Sequence, residues 1–266
     1  MSARIVAVAN QKGGVGKTTT AINLAASLAL ADRRVLAIDT DPQANLTSGF
    51  GLKGQAAPSG TVYQALTAAT IPDFAAYVIE TQVSGLSLVP SDRHLTGAEL
   101  EMISLDHRET RLRELTHQLL GDYDYIFIDT PPSLGLLTLN GLVAADTVLI
   151  PLHSEYFALE GLADLVTTLQ RIRASLNPDL GIEGVLLTMH DGRTNLSQQV
   201  SRDIRDFFKD KVFDTVVPRN VRLGEAPSHG LPAILYDVKS RGAEAYVALA
   251  KEILGRDSLA SRSTHG

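Results

Sequence analysis

The sequence predicts an α/β fold, a mostly parallel twisted sheet flanked by helices on both faces, and three observations carry that expectation. Six short runs rich in Val, Ile and Leu recur along the 266 residues; each is too short for a buried helix and reads as a strand covered on both sides. Between them lie longer segments whose apolar residues return three and four positions apart, the helical period. A glycine-rich turn joins the first run to the first helical segment.

In chain order, the strands are expected at 4–9 (RIVAVA), 34–39 (RVLAID), 86–90 (LSLVP), 125–129 (YIFID), 147–152 (TVLIPL) and 183–189 (EGVLLTM). Helices are expected at 18–30, 108–120, 158–176, 196–208 and 243–254. Helices between such strands imply right-handed crossovers, which force neighbouring strands to run parallel. Residues 52–84, turn-rich at 53–60, read as an insertion on one domain spanning 1–255, and 256–266 (RDSLASRSTHG) as a flexible C-terminal tail.

Composition narrows the function classes. With 44% hydrophobic residues the chain is expected to be globular, and no apolar stretch approaches the roughly 18 residues of a membrane span, so a soluble cytoplasmic protein is expected. The absence of cysteine excludes disulfides, thiolate metal sites and cysteine-held iron–sulfur clusters. A net charge of −6 gives no overall sign of a nucleic-acid partner, so any such site must be a local basic patch.

The stretch NQKGGVGKTTT, residues 10–20, follows a strand and opens a helix, the context a phosphate-binding loop requires. Gly13, Gly14 and Gly16 let backbone amides turn inward around phosphate oxygens, and the helix starting near Lys17 adds its dipole. In such a loop Lys17 bridges phosphates and the Thr18 hydroxyl ligates Mg2+. The strict pattern is nonetheless broken, because Gln11 stands where the first glycine belongs and an extra lysine, Lys12, follows it. Asp129 closes the run YIFID, where a carboxylate that holds magnesium through water is expected. Asp39 and Asp41, in AIDTDPQAN, fall on one side of a continuing strand, and either one suits a role in orienting water; a turn before Pro42 is the alternative.

Taken together, KGGVGKTTTAINLA, IDTDPQANLTSGFG, DYIFIDTPPSLGLLTLNGL, EYFALEGL, GVLLTM followed by RTNLSQQV, VPRNVRLGEAPSHG and SRGAEAY resemble the ParA/Soj family of chromosome- and plasmid-partitioning ATPases, from about residue 3 to 254. That family belongs to the deviant Walker A P-loop NTPases, the MinD/ParA superfamily. The resemblance implies ATP and Mg2+ as ligands, with Gly13, Gly14, Val15, Gly16, Lys17, Thr18 and Thr19 around the phosphates. It further implies that Lys12 reaches the phosphates of a partner subunit in an ATP-bound sandwich homodimer, that Asp41 places the attacking water, and that Thr18, Asp39 and Asp129 serve the metal. Glu155 matches a residue that approaches the nucleotide across the interface. Met189 and Pro218 match segments near adenine, although both suit plain packing equally well.

Arg193, Arg219 and Arg222 match or neighbour positions that bind nonspecific double-stranded DNA in relatives, yet Asp203, Asp206, Asp210 and Asp214 interleave the surrounding cations. A ParB-type centromere-binding protein is the implied activator of a slow ATPase, and a nucleoid-associated location follows. With about ten residues before the loop, the chain resembles short members without a helix-turn-helix region. Ala44 departs from the family pattern, which commonly has glycine there. A MinD-like membrane-positioning ATPase is the alternative reading; its attachment needs a basic, bulky amphipathic C-terminal helix, whereas this C-terminus is polar, so no stable membrane association is expected. A metabolic ligase or kinase with a phosphate loop is a further alternative.

Overall fold

Along the first strand, β1 (Arg4–Val8), Ile5 and Ala7 enter one hydrophobic core while Val6 and Val8 enter another. Side chains alternate across a strand, so a strand apolar at every position supplies both faces of its sheet. The computed structural model describes residues 2–154, 158–193 and 195–263. After β1 come α1 (Lys17–Ala29), β2 (Val35–Asp39), α2 (Asn45–Gly49), α3 (Val62–Thr67), β3 (Ile79–Glu80) and β4 (Leu86–Val89). There follow α4 (Leu95–Met102), α5 (Arg111–His117), β5 (Tyr125–Asp129), α6 (Leu136–Ala144), β6 (Thr147–His153) and α7 (Ala158–Ser175). The described chain continues with β7 (Gly181–His190), α8 (Asn195–Phe208), β8 (Val212–Pro218), α9 (Val221–Glu225), α10 (Ala233–Tyr236) and α11 (Arg241–Ser263).

The eight strands form one sheet in the order β3-β4-β2-β5-β1-β6-β7-β8, parallel except where β3 pairs antiparallel with β4. One face carries α1 and α11, whose Ile22, Leu24, Leu28, Tyr246 and Leu249 pack with Val6, Val8 and Phe127. Helices α3 to α8 cover the other through residues such as Val62, Leu95, Leu115, Leu142, Leu165 and Ile204. Strand β1 sits between β5 and β6, and the chain leaves it toward β2 on one side while β6 lies on the other. A crevice opens at such a switch point beyond the strand C-termini, and the glycine-rich loop lies there.

All six expected strands and five expected helices form, with shifted ends. Strand β8 was not anticipated because VFDTVVP mixes buried and exposed residues around Asp214. Helix α6 was missed for the opposite reason: it is buried around most of its circumference, so no 3.6-residue polar period shows. The insertion is not separate, since Val62, Leu66, Phe74 and Tyr77 join the main core.

The last helix also differs from expectation. Rather than ending at Leu254 in a flexible tail, α11 is helical through Ser263. Its added turns find partners: the Arg256 guanidinium lies 4.5 Å from the Phe213 ring centre and pairs with Glu252 at 2.7 Å, and Asp257 accepts from Arg4 and from the Tyr125 hydroxyl. Among the described residues, no helix is long and apolar enough to cross a membrane.

Candidate functional site

Asn10 anchors the glycine-rich loop. Its side-chain amide donates to the Pro151 carbonyl of β6 at 2.8 Å, and its oxygen accepts the Lys12 amide at 2.9 Å. Gly14 (φ +73°) and Gly16 (φ +89°) take left-handed conformations that cost an L-residue about 1–2 kcal/mol. A Cβ on Gly13 or Gly14 would meet nothing within 4 Å, and both residues line an open cavity. Across from it the Thr188 hydroxyl donates to the Val15 carbonyl at 2.8 Å, tying the end of β7 to the loop.

Lys17 begins α1 and is buried. Its ammonium donates to the Lys12 carbonyl at 3.3 Å; burial lowers its pKa, and Asp129 and Asp41 oppose that shift. The two acids at strand ends face each other in register, Asp39 on β2 opposite Asp129 on β5, and both are fully buried. Neither carboxylate oxygen of Asp129 has a hydrogen-bond partner among the described residues. Burial raises its pKa well above the carboxylate range, Asp39 adds to this, and the nearby Thr18 hydroxyl and Lys17 ammonium oppose it. A buried, unsatisfied carboxylate beside a hydroxyl is the chemistry a hydrated divalent cation satisfies, so Thr18 and Asp129 fit Mg2+. Among the described residues there is no group of three His, Cys, Asp or Glu that would hold a metal by side chains alone. Magnesium characteristically keeps several waters and takes the rest of its oxygens from phosphates, so the missing cage is no obstacle.

Asp39 stands beside Asp129 at the end of β2, where the sequence expects a residue serving the metal, and its oxygens are hydrogen-bonded within the chain. One oxygen accepts the Asp41 amide at 3.1 Å; the other accepts the Thr47 amide at 2.8 Å and hydroxyl at 2.7 Å. Through these bonds Asp39 shapes the segment that carries Asp41. Burial pushes its pKa up to about 6, with the Thr47 and Asp41 donors pulling the other way. Asp41 accepts the Gln43 amide at 2.9 Å and lines a cavity of about 340 Å3 together with Gly13, Gly14, Lys17, Thr18 and Asn45. Lys12, half-buried, is not among the lining residues.

A second cavity, about 310 Å3, adjoins the first through Gly16, Thr19 and Met189, which line both. Met189 and Pro218 stand on its wall with Val217, Leu223 and Tyr246. The two expected base-side residues therefore come together at the ends of β7 and β8, beside an apolar slot joined to the phosphate loop. Met189 holds φ at +48°, which turns the chain sharply as it leaves the strand. Gln43, Asn45, Pro132, Asn220 and Tyr246 also line these cavities and were not foreseen. Gln43 and Asn45 were within reach, lying beside Asp41 in the quoted DPQAN, whereas Tyr246 arrives from a distant helix.

The three arginines expected at DNA are arranged unevenly. Arg193 is 89% exposed and makes a two-pronged pair with Asp191 at 2.8 and 2.7 Å, which holds the Asp191 carboxyl well below its usual range. Arg222 pairs with Glu225 at 2.7 Å and Asp237 at 3.3 Å. Arg219 lines the second cavity, its amide donating to the His190 carbonyl at 3.3 Å. Glu155 lies outside the described residues.

A glycine loop after the central strand, a buried lysine at the head of the next helix and acids ending the two adjoining strands define a P-loop nucleoside-triphosphatase fold. The family model described as AAA domain matches residues 3–182. The chain is 54% identical over 255 residues to the chromosome partitioning protein ParA of Myxococcus xanthus, covering 96% of this chain and 89% of the relative. It is 52% identical over 250 residues to the sporulation initiation inhibitor protein Soj of Bacillus subtilis, covering 94% and 98%. A solved structure named cobyrinic acid a,c-diamide synthase from Mycobacterium smegmatis, with bound ATP analog and magnesium, superposes with a TM-score of 0.81 at 37% identity, covering 95% of this chain and 94% of that one. The chain belongs to the ParA/Soj family of the MinD/ParA superfamily.

Proposed function

We propose that this chain is a DNA-partitioning ATPase that hydrolyses ATP to ADP and phosphate in a nucleotide-sandwich homodimer. The observation that carries the reading is the joined pair of cavities: an apolar slot at Met189 and Pro218 running into a second space lined by the loop glycines, Lys17 and Asp41. A purine fits the first and a polyphosphate the second. Family membership and a relative named as a chromosome partitioning protein support the biological role. The neighbour crystallised with an ATP analog and magnesium supports the cofactors.

In this reading the loop amides and Lys17 hold the phosphates, and Asp41 accepts a proton-bearing water and aligns it for attack. Thr18 and, through water, Asp129 hold Mg2+, which when bound neutralises developing phosphate charge. Lys12 is supplied to the partner's site, where its ammonium stabilises negative charge in the transition state. Two closed subunits place their arginines on one face, and Arg193 and Arg222 exchange their carboxylate partners for DNA phosphates. Hydrolysis opens the dimer and releases DNA, and a ParB-type protein accelerates that step. These properties make it a cytoplasmic, nucleoid-associated protein that moves or positions a chromosome origin or plasmid.

Gly13→Val tests the sandwich. A Cβ added at Gly13 meets nothing within 4 Å in the single subunit, so the fold and nucleotide binding should be retained, while the closed dimer loses its fit. Size-exclusion chromatography with ATP in the Asp41→Ala background should show dimer when Gly13 is intact and monomer when Gly13→Val is added. Normal dimerisation by the Gly13→Val chain would remove the face-to-face arrangement.

The M. smegmatis structure's name favours the ligase alternative, but the relatives named for partitioning stand at higher identity over similar coverage. For the membrane alternative, the helical end of α11 is committed through Arg256 and Asp257 to Phe213, Arg4 and Tyr125.

A further inference from the structure

The segment carrying Asp41 is clamped from two directions. Its amide donates to Asp39 at 3.1 Å, as described, and its carbonyl accepts the Ser91 hydroxyl at 2.9 Å. Ser91 follows β4 and is 3% exposed. Its own amide donates to the Thr47 hydroxyl at 3.0 Å, and that hydroxyl donates in turn to Asp39. The bonds form a closed circuit through Asp41, Asp39, Thr47 and Ser91, spanning β2, α2 and the turn after β4. Every hydroxyl direction in it is fixed, because the Thr47 oxygen must accept from an amide and give its proton to a carboxylate.

We infer that Ser91 is a positioning residue for hydrolysis, holding the Asp41 backbone so that its free carboxylate oxygen meets the attacking water. The inference rests on the proposed role of Asp41. Pro42 restricts the backbone of Asp41 to extended conformations, and the Gln43 amide occupies one side-chain oxygen at 2.9 Å. With amide, carbonyl and Oδ1 all held, the carboxylate retains one orientation and one oxygen for water. A buried carbonyl has no solvent to replace a lost donor, so removing the Ser91 hydroxyl frees the segment to shift.

The circuit also explains what the insertion does. Pro90, next to Ser91, accepts the Val62 amide at 2.9 Å, and Asp92 accepts the Thr61 hydroxyl at 2.9 Å. Thr61 caps α3 together with Gln64. The start of α3 thus holds the turn that presents Ser91, and the insertion becomes part of the support for Asp41.

The experiment is steady-state ATP hydrolysis, with saturating duplex DNA, by Ser91→Ala, Ser91→Thr and Asp41→Ala, with fluorescent ADP affinity measured on each. Ser91→Ala should lose roughly ten-fold or more in kcat, as misplacement of a reacting group does, with KM and ADP affinity within about two-fold of wild type. Ser91→Thr keeps the hydroxyl and should recover most of the rate. Ser91→Cys, near in size and a weak donor, is measured where the alanine form does not fold, and should fall between. Wild-type kcat in Ser91→Ala or Ser91→Cys beside an inactive Asp41→Ala overturns the inference alone, as does loss of ADP affinity in step with kcat. Turnover by Asp41→Ala overturns the reading beneath it.

Discussion

Ala44 holds φ at +52° immediately before α2, a conformation that glycine adopts freely and alanine does not. The departure from glycine noted in the sequence therefore has a physical consequence in the segment between Asp41 and Thr47. Ala44→Gly relieves the left-handed strain but loosens the unfolded chain, so a net gain of about 1 kcal/mol or less is expected in urea unfolding. A fall in stability would show that the backbone there is held differently. Arg193 offers a second test at this scale. The Asp191 carboxylate that pairs with it stays nearby when a DNA phosphate takes its place, and like charges then oppose binding. Asp191→Asn should strengthen ATP-dependent binding to arbitrary duplex DNA by roughly two- to five-fold, leaving ATP affinity unchanged. Equal or weaker binding in a fluorescence-anisotropy titration would take Arg193 out of the DNA site. Single residues were legible in the sequence where one motif fixes their position, as for Gly14 in the loop, Lys17 at the head of α1 and Asp129 at the end of β5. The hydrogen bonds from Thr47 to Asp39 were not, since they depend on how α2 folds back, and the acids beside Arg193 and Arg222 are ordinary surface charges until their distances are known.

Elements were legible in proportion to their periodicity. The strands apolar at every position and the amphipathic helices announced themselves, while α6 hid its period by burial and β8 by mixing exposed residues into an edge. The C-terminal end of the last helix escaped because its final turns are polar, and their stability comes from long-range partners. Arg4 is held between Glu183 at 2.6 Å and Asp257, and Asp257 also accepts from Tyr125, whose hydroxyl is kept protonated by burial and by that acid. These groups gather at the N-terminal edges of β1, β5 and β7, opposite the nucleotide side of the sheet. Asp257→Ala leaves a partly buried tyrosine hydroxyl and an arginine short of an acceptor, and should cost about 1–2 kcal/mol in unfolding free energy with ATP turnover unchanged. Unaltered stability would mean that the end of α11 contributes nothing to the fold, and altered turnover would mean that it reaches the site.

For the whole molecule, the account joins three properties through one event. A single subunit has both cavities, but its phosphate site lacks Lys12 on the lining, and its arginines carry carboxylate partners on a chain of net charge −6. In the proposed cycle, dimer closure on ATP supplies the lysine and doubles the arginine face together, which links nucleotide state to DNA affinity and predicts that each ligand strengthens the other. None of this was visible from composition, which gives no overall sign of a nucleic-acid partner; it entered through the resemblance.

The most direct test is the affinity of Asp41→Ala for a duplex of arbitrary sequence, measured with ATP, with ADP and without nucleotide over a range of salt, with the Arg222→Glu double variant alongside. Tight binding only with ATP, falling steeply with salt and lost in Arg222→Glu, is the predicted result. A protein that closes into an ATP-bound dimer yet binds DNA equally in all three states, or not at all, would contradict the account and leave only the ATPase.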